Sequence, residues 1–148
     1  MIPASSGFLQ KDFVIKKRPT KTYKMHFERK NICGYVVDGP EAMKQAIYKI
    51  INTERYQYII YSWNYGIELL DLFGMPISYV CPELRRRITE ALMQDDRIQS
   101  VDAFSFEAKK REVHVTFTAH TIFGDIHAEK VVMIQMQGGQ QYLVLDRV

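Results

Sequence analysis

Val113-His114-Val115-Thr116-Phe117-Thr118-Ala119-His120 alternates apolar and polar residues without a break. A period of two places Val113, Val115, Phe117 and Ala119 on one face of an extended chain and the histidines and threonines on the other. This describes a strand with one buried side. Working outward, Ile98 to Ala108 precedes it across a Lys109-Lys110-Arg111 turn, and Ile126 to Ile134 follows across Phe123-Gly124-Asp125. Three successive strands on short turns predict an antiparallel meander, whose apolar face needs a covering layer.

Two helices supply that layer. Asp38-Gly39-Pro40-Glu41 is a helix start, with Asp38 or Gly39 as cap and Pro40 in the first turn, where its missing N–H costs nothing. Met43, Ile47, Ile50 and Ile51 then recur at helical spacing, and the helix is predicted to end near Asn52-Thr53. The second helix is predicted to open at Cys81-Pro82-Glu83, to carry Leu84, Ile88, Ala91 and Leu92 as its apolar stripe, and to end between Gln94 and Asp96. Glu83 and Arg87 stand four apart, acid first, the favourable order for a helical ion pair. Between the helices, the aromatic-rich run from Tyr56 to Gly66 reads as an irregular or extended segment leading into a short helix, Ile67 to Phe73, closed by Gly74. Ahead of the first helix, strands are expected at Tyr23 to Phe27 and Ile32 to Val37, around a polar turn. The fold class is therefore α+β: a single domain, with an antiparallel meander packed by two main helices on one face. Residues 1–22, with the basic run Lys16-Lys17-Arg18-Pro19, read as an arm. Residues 23–134 form the domain, and residues 135–148 are a tail or an added strand.

Composition sets the outer limits. The chain has 148 residues, 47% hydrophobic and 25% charged, which fits one folded domain and argues against general disorder. A net charge of +3 is too mild to imply nucleic acid by itself. Two cysteines, Cys33 and Cys81, are too few for a disulfide framework and fit a reducing compartment. The first residues lack the early positive charge and apolar core of a signal peptide, so synthesis and folding in the cytoplasm are expected. No apolar run approaches the roughly 20 residues that cross a bilayer.

Candidate chemistry is sparse. His120 faces His127 if Phe123-Gly124 form a two-residue turn, whereas His127 faces Ile122 if Gly124-Asp125 do. Even the first register brings only two nitrogen ligands together, with no close acidic partner, so no metal or cofactor is expected. No nucleophile elbow or phosphate loop is present. Glu90, Asp95 and Asp96 sit near one helix end, not opposed across a cleft as glycoside hydrolysis requires. Arg85, Arg86 and Arg87 fan around the helix at 100° per residue, so they form no phosphate-facing stripe and read as a solvated face plus intrahelical pairs. The stretch Gln94-Asp95-Asp96-Arg97-Ile98 departs from pattern, because two acids lie against the negative end of a helix dipole. Either they serve arginines of a partner, or Asp96 starts the turn into the strand at Ile98.

Two blocks carry a resemblance. The first runs from Asp38-Gly39-Pro40-Glu41-Ala42 through Thr53-Glu54-Arg55-Tyr56 to Tyr61-Ser62-Trp63-Asn64-Tyr65-Gly66. The second is Glu83-Leu84-Arg85-Arg86-Arg87-Ile88-Thr89-Glu90-Ala91-Leu92 followed by Asp95-Asp96-Arg97-Ile98. Together, over roughly Tyr23 to Ile134, the chain resembles the XkdS family of the defective prophage PBSX. More distantly it is similar to the baseplate wedge and sheath-initiator proteins of contractile phage tails. That wider family carries Thr-x-Arg-Gly-Glu-Arg, a Phe-Gly, and a helix ending in Glu-Pro-Arg-Ile. Here Thr53-Glu54-Arg55, Tyr65-Gly66 and Asp95-Asp96-Arg97-Ile98 answer to them, with Asp96 in place of the proline and no Gly-Glu-Arg portion.

The resemblance implies a structural baseplate component, made in the host cytoplasm and built into the virion tail. Its partners would be other wedge proteins and tail sheath subunits, with no small-molecule substrate, nucleic acid, membrane or cofactor. Asp95, Asp96 and Arg97 would form an exposed corner docking on wedge partners, and Thr53, Arg55, Tyr65 and Gly66 would shape the fold around it. Sheath subunits would add strands to a sheet edge, with the N-terminal arm and the tail after Ile134 as candidates for exchange. The alternative that the resemblance raises is a lysozyme-like, peptidoglycan-degrading tail enzyme.

Overall fold

In a computed structural model of the chain, residues 19–26, 31–109 and 111–134 are described. Strands β1 (Thr22–His26) and β2 (Asn31–Val37) form an antiparallel pair. Helix α1 (Gly39–Ile51) follows, then an irregular connection containing one 3₁₀ turn (Leu70–Leu72), then helix α2 (Ile77–Leu92). Strands β3 (Ile98–Ala108), β4 (Glu112–Thr121) and β5 (Gly124–Met133) complete a three-stranded antiparallel sheet in the order β3-β4-β5. The α+β meander stands as expected, and the first two strands form a second, smaller sheet. The arm as far as residue 18 and the tail after Ile134 lie outside the described residues, as does the Cys33 side chain.

Alternation in β4 does what its pattern requires. Val113, Val115, Phe117 and Ala119 are buried against Met43, Ile47 and Ile51 of α1 and Leu84, Ile88 and Leu92 of α2 in one core. Strand β3 keeps in step with that face only by means of two bulges, one between Ile98 and Ser100 and one between Asp102 and Ser105. Each inserts an extra residue, so Ile98, Val101, Phe104 and Phe106 all meet the core side despite their uneven spacing. Ala103 sits in the second bulge at φ 52°, a left-handed conformation usually left to glycine. Phe104 stacks on Phe117 at 5.6 Å and lies under the Arg85 guanidinium.

The small sheet is fastened to α1 by one buried amide. Gln45 accepts from Met25 N at 2.7 Å and donates to the Tyr23 carbonyl at 3.1 Å, as a neighbouring strand would. Asp38 caps α1 through Gly39 N and also accepts from the Thr20 hydroxyl. These bonds hold the Asp38 carboxyl below its ordinary range, the Thr20 bond most.

Three expectations need correction. Helix α2 opens at Ile77, after Pro76 at its cap position, and carries Pro82 inside. The helix forgoes one N–H bond at Pro82, while the turn ahead of it buries Val80 completely. The expected helix from Ile67 to Phe73 shrinks to the 3₁₀ turn, because Ile67 pairs with Glu54 in a parallel bridge. The turn between β4 and β5 is Ile122-Phe123, so neither histidine register holds. His120 faces Asp125, and His127 faces Thr118. His120 does have acidic partners: Nδ1 lies 2.6 Å from Asp125 Oδ1, and Nε2 lies 2.9 Å from Asp102 Oδ1.

Candidate functional site

The site is assembled around the connection between the helices. Thr53 and Arg55 flank Glu54 just after α1, where Asn52 ends the helix. Ile67 N donates to the Thr53 carbonyl at 2.9 Å, and Arg55 N donates to the Ile67 carbonyl at 3.1 Å. This two-bond bridge needs Gly66, whose φ is 92° and whose missing Cβ would stand 2.5 Å from the Thr53 carbonyl oxygen. The Arg55 side chain, only 9% exposed, then folds over the same spot. Its Nε and Nη2 donate to the Gly66 carbonyl at 3.2 and 3.1 Å, and Nη1 reaches Glu90 at 2.9 Å and Glu68 at 3.2 Å. Burial alone would lower the Arg55 guanidinium pKa; the Glu90 hydrogen bond and the charges of Glu90 and Glu68 more than reverse this.

Glu54 turns the other way. Its carboxylate accepts from Leu69 N and Leu70 N, opening the 3₁₀ turn, and burial raises its pKa despite those bonds. Arg87 closes the far side. Its guanidinium pairs with both carboxylate oxygens of Asp71, with Glu83 at 3.1 Å, and with the Glu68 carbonyl at 2.8 Å. The hydrogen bond from Arg87 holds Asp71 well below the usual carboxylate range. Of the three consecutive arginines, then, Arg87 is not on a solvated face. It is buried, whereas Arg85 and Arg86 are exposed and Arg86 pairs within the helix with Glu83 and Glu90.

The corner after α2 is closed on itself. Because α2 ends at Leu92, Asp95 stands clear of the last helical turn and caps the turn that follows. Asp95 N donates to Leu92 O, while its carboxylate accepts from Arg97 N at 3.1 Å, Arg97 Nε at 2.9 Å and Arg97 Nη2 at 2.6 Å. That bidentate pair raises the Arg97 guanidinium pKa. Asp95 is 3% exposed, so the expected exposed acid–arginine corner is corrected: the acid and the arginine meet each other inside, and Asp96 is the exposed member. The Arg97 carbonyl accepts from Ile122 N, which sets the β4–β5 turn beside this corner.

Tyr65 links the two halves. It is half-buried, stacks on Tyr61 at 4.5 Å, and has its pKa raised by burial first, then by Tyr61 and Asp95. Asn64 reaches Gln94 at 3.3 Å. The structure thus brings Thr53, Arg55, Tyr65 and Gly66 together and places Tyr65 beside Asp95. The expected Glu83–Arg87 helical pair is present at 3.1 Å, but sequence reasoning missed the Asp71 and Glu68 partners of Arg87 and the role of Glu54, and the signal for them was an excess of charge around an irregular segment. Among the described residues, no group of three or more histidine, cysteine or acidic side chains is arranged to hold a metal ion. No helix among them is long and apolar enough to cross a membrane.

Residues 17–124 match the model of the contractile injection system sheath initiator family. The chain is 39% identical over 116 residues to the phage-like element PBSX protein XkdS of Bacillus subtilis (strain 168), across 76% of this chain and 82% of that protein. The chain belongs to the contractile injection system sheath initiator family and is a structural component of a contractile phage-type tail.

Proposed function

We propose that this protein sits in the tail baseplate, docks on wedge proteins through the corner Asp95-Asp96-Arg97, and templates the sheath by accepting added strands. Thr53, Arg55, Tyr65 and Gly66 support the docking by fixing the shape of the connection behind the corner. One observation carries the reading. β5 runs ten residues in unbroken register with β4 and ends the strand order, with no strand beyond it among the described residues. Such an edge offers N–H and C=O groups to an incoming strand. The opposite edge, β3, is bent by two bulges that discourage pairing.

The protein turns over no substrate in this reading. The carboxylates that a lysozyme-like activity would use are engaged elsewhere: Glu90 bridges Arg55 and Arg86, and Asp95 encloses Arg97. Two measurements test the proposal. Deleting residues after Ile134 should leave a folded domain that no longer nucleates sheath, and Asp96→Arg should fold normally yet fail to enter tails. Intact contractile particles from either variant would overturn it. So would clearing of peptidoglycan that Glu90→Gln or Asp95→Asn abolishes.

A further inference from the structure

The most unusual surface on the molecule is the loop that the site holds up. From Tyr56 to Ile67 the sequence contains no charged residue. Within it Ile59 is fully exposed, Ile60 is 84% and Trp63 81% exposed, and Tyr56, Tyr58 and Tyr61 are exposed as well. At roughly 150–250 Å² per large side chain, these six present on the order of 700–900 Å² of largely apolar surface. That is comparable to the roughly 800 Å² that each partner contributes to a standard protein interface, and more than most monomers leave bare.

The loop is also pre-organised. Its ends are tied by the Arg55 grip on the Gly66 carbonyl and by Asn64 to Gln94. Inside it, Tyr61 N donates to Tyr58 O, and Tyr65 N donates to Ser62 O at 2.9 Å. Tyr58 meets Tyr61 edge-on at 6.2 Å, and Tyr61 stacks on Tyr65. Tyrosine, tryptophan, serine and asparagine on a fixed backbone are the residues from which low-entropy binding surfaces are made.

We infer that the Tyr56–Trp63 loop is a docking knob that inserts Ile59, Ile60 and Trp63 into an uncharged apolar recess of another tail protein. This rests on the proposed assembly role and names the surface that performs it. Charge selects the occupant. With no cation in the segment, nothing on the loop meets a phosphate backbone or an anionic lipid headgroup. Exposure peaks at Ile59 and Ile60, which makes them the leading contacts of the surface. An uncharged apolar surface of this size calls for an uncharged apolar recess, which the assembly role places on another tail protein. The loop is continuous with the Asp95–Arg97 corner through the Asn64–Gln94 bond, so both would face the same neighbour.

The test uses the full chain, expressed with the remaining tail genes. A photo-crosslinking amino acid at position 59 should join one other tail protein, within a peptide that lacks charged residues. Ile59→Asp combined with Ile60→Asp should cut incorporation into particles at least tenfold while leaving the melting temperature of the isolated protein within about 2 °C, because neither side chain is buried. Ile59→Leu with Ile60→Leu should restore incorporation. Normal incorporation of the aspartate variant overturns the inference and leaves the assembly role standing. Crosslinks confined to a second copy of this chain, or binding to phosphatidylcholine vesicles that the aspartates abolish, overturn it in favour of those occupants. Absence of the wild-type chain from particles overturns the assembly role and the inference together.

Discussion

Gly66→Ala isolates the hinge on which the site turns. At φ 92° an L-residue pays roughly 1–2 kcal/mol for its backbone conformation alone. The added methyl carbon would also lie 2.5 Å from the Thr53 carbonyl oxygen and 3.2 Å from its carbon, neither of which is a flexible side-chain end. Relief requires the Thr53 carbonyl to withdraw, which breaks the 2.9 Å bond from Ile67 N and strains the 3.1 Å bond from Arg55 N. Each is worth about 1 kcal/mol, and somewhat more where the groups are buried. The expected loss is about 3–5 kcal/mol, a large part of a typical domain's 5–15. At roughly 2–4 °C per kcal/mol this lowers the melting temperature by about 6–20 °C. Gly74→Ala is the control. Its φ of 81° is comparable, but an added carbon there meets nothing within 4 Å, so only the conformational cost of about 1–2 kcal/mol applies. Urea or thermal denaturation of both variants decides the matter. If the two lose equal stability, or Gly66→Ala loses less than about 1 kcal/mol, the clash with Thr53 does not govern this hinge.

Arg55→Lys should not rescue Arg55→Ala: an ammonium cannot hold the Gly66 carbonyl, Glu68 and Glu90 together, and both variants should lose about 2–4 kcal/mol in chemical denaturation. His120 is held between Asp125 and Asp102, which raises its pKa above the ordinary 6.5. The folded state therefore favours the imidazolium, so this contribution is complete below pH 6.5 and fades as pH rises through the higher folded value. His120→Gln should flatten the fall in melting temperature above pH 6.5, and an unchanged slope would refute the bridge. Ala103→Gly relieves a left-handed backbone at the β3 bulge and should stabilise by about 0.5–1 kcal/mol; a loss on calorimetry would show that the bulge tolerates alanine without strain.

Regular elements were legible because their periods are short and their caps chemical. Asp38 and Pro40 placed the start of α1, and the alternation from Val113 to Ala119 placed β4 and its inward face. Where two rules competed, pattern reading lost. Pro82 reads as a helix start because proline favours a first turn, yet Pro76 already serves that end and Val80 gains full burial by joining the helix. The turn at Ile122-Phe123 contains neither of the residues that usually mark a hairpin, since the glycine falls one place later, on the first residue of β5. The site was legible only as a set of residues. Thr53, Arg55, Tyr65 and Gly66 are adjacent in space, but which carbonyl each arginine would seek depends on a chain path that no period encodes. The exposure expected of Asp95 failed for the same reason: a carboxylate two residues before an arginine can face a partner or turn inward, and only the turn at Asp95 decides.

The arginines have a common task that stability alone does not explain. Residues 64–69 form no helix and touch a neighbouring strand segment only at the Ile67–Glu54 bridge, so most of their carbonyls need donors from elsewhere or must face water. Arg55 supplies the Gly66 carbonyl and Arg87 the Glu68 carbonyl, each while paired with carboxylates that cancel its charge. A well-packed apolar side chain often serves stability as well as a buried ion pair does. It has no forked donor, however, and cannot fix an irregular carbonyl in place. The guanidinium groups therefore act as substitute strand neighbours on either side of the single Ile67–Glu54 bridge, and the rigidity they confer passes directly to the loop ending at Gly66. A surface built of Ile59, Ile60 and Trp63 gains affinity only if it is ordered before it binds, because ordering such side chains on contact costs about 0.5–1.5 kcal/mol apiece. The charged interior and the uncharged loop are in this sense one device, with the ion pairs holding still what the apolar tip presents.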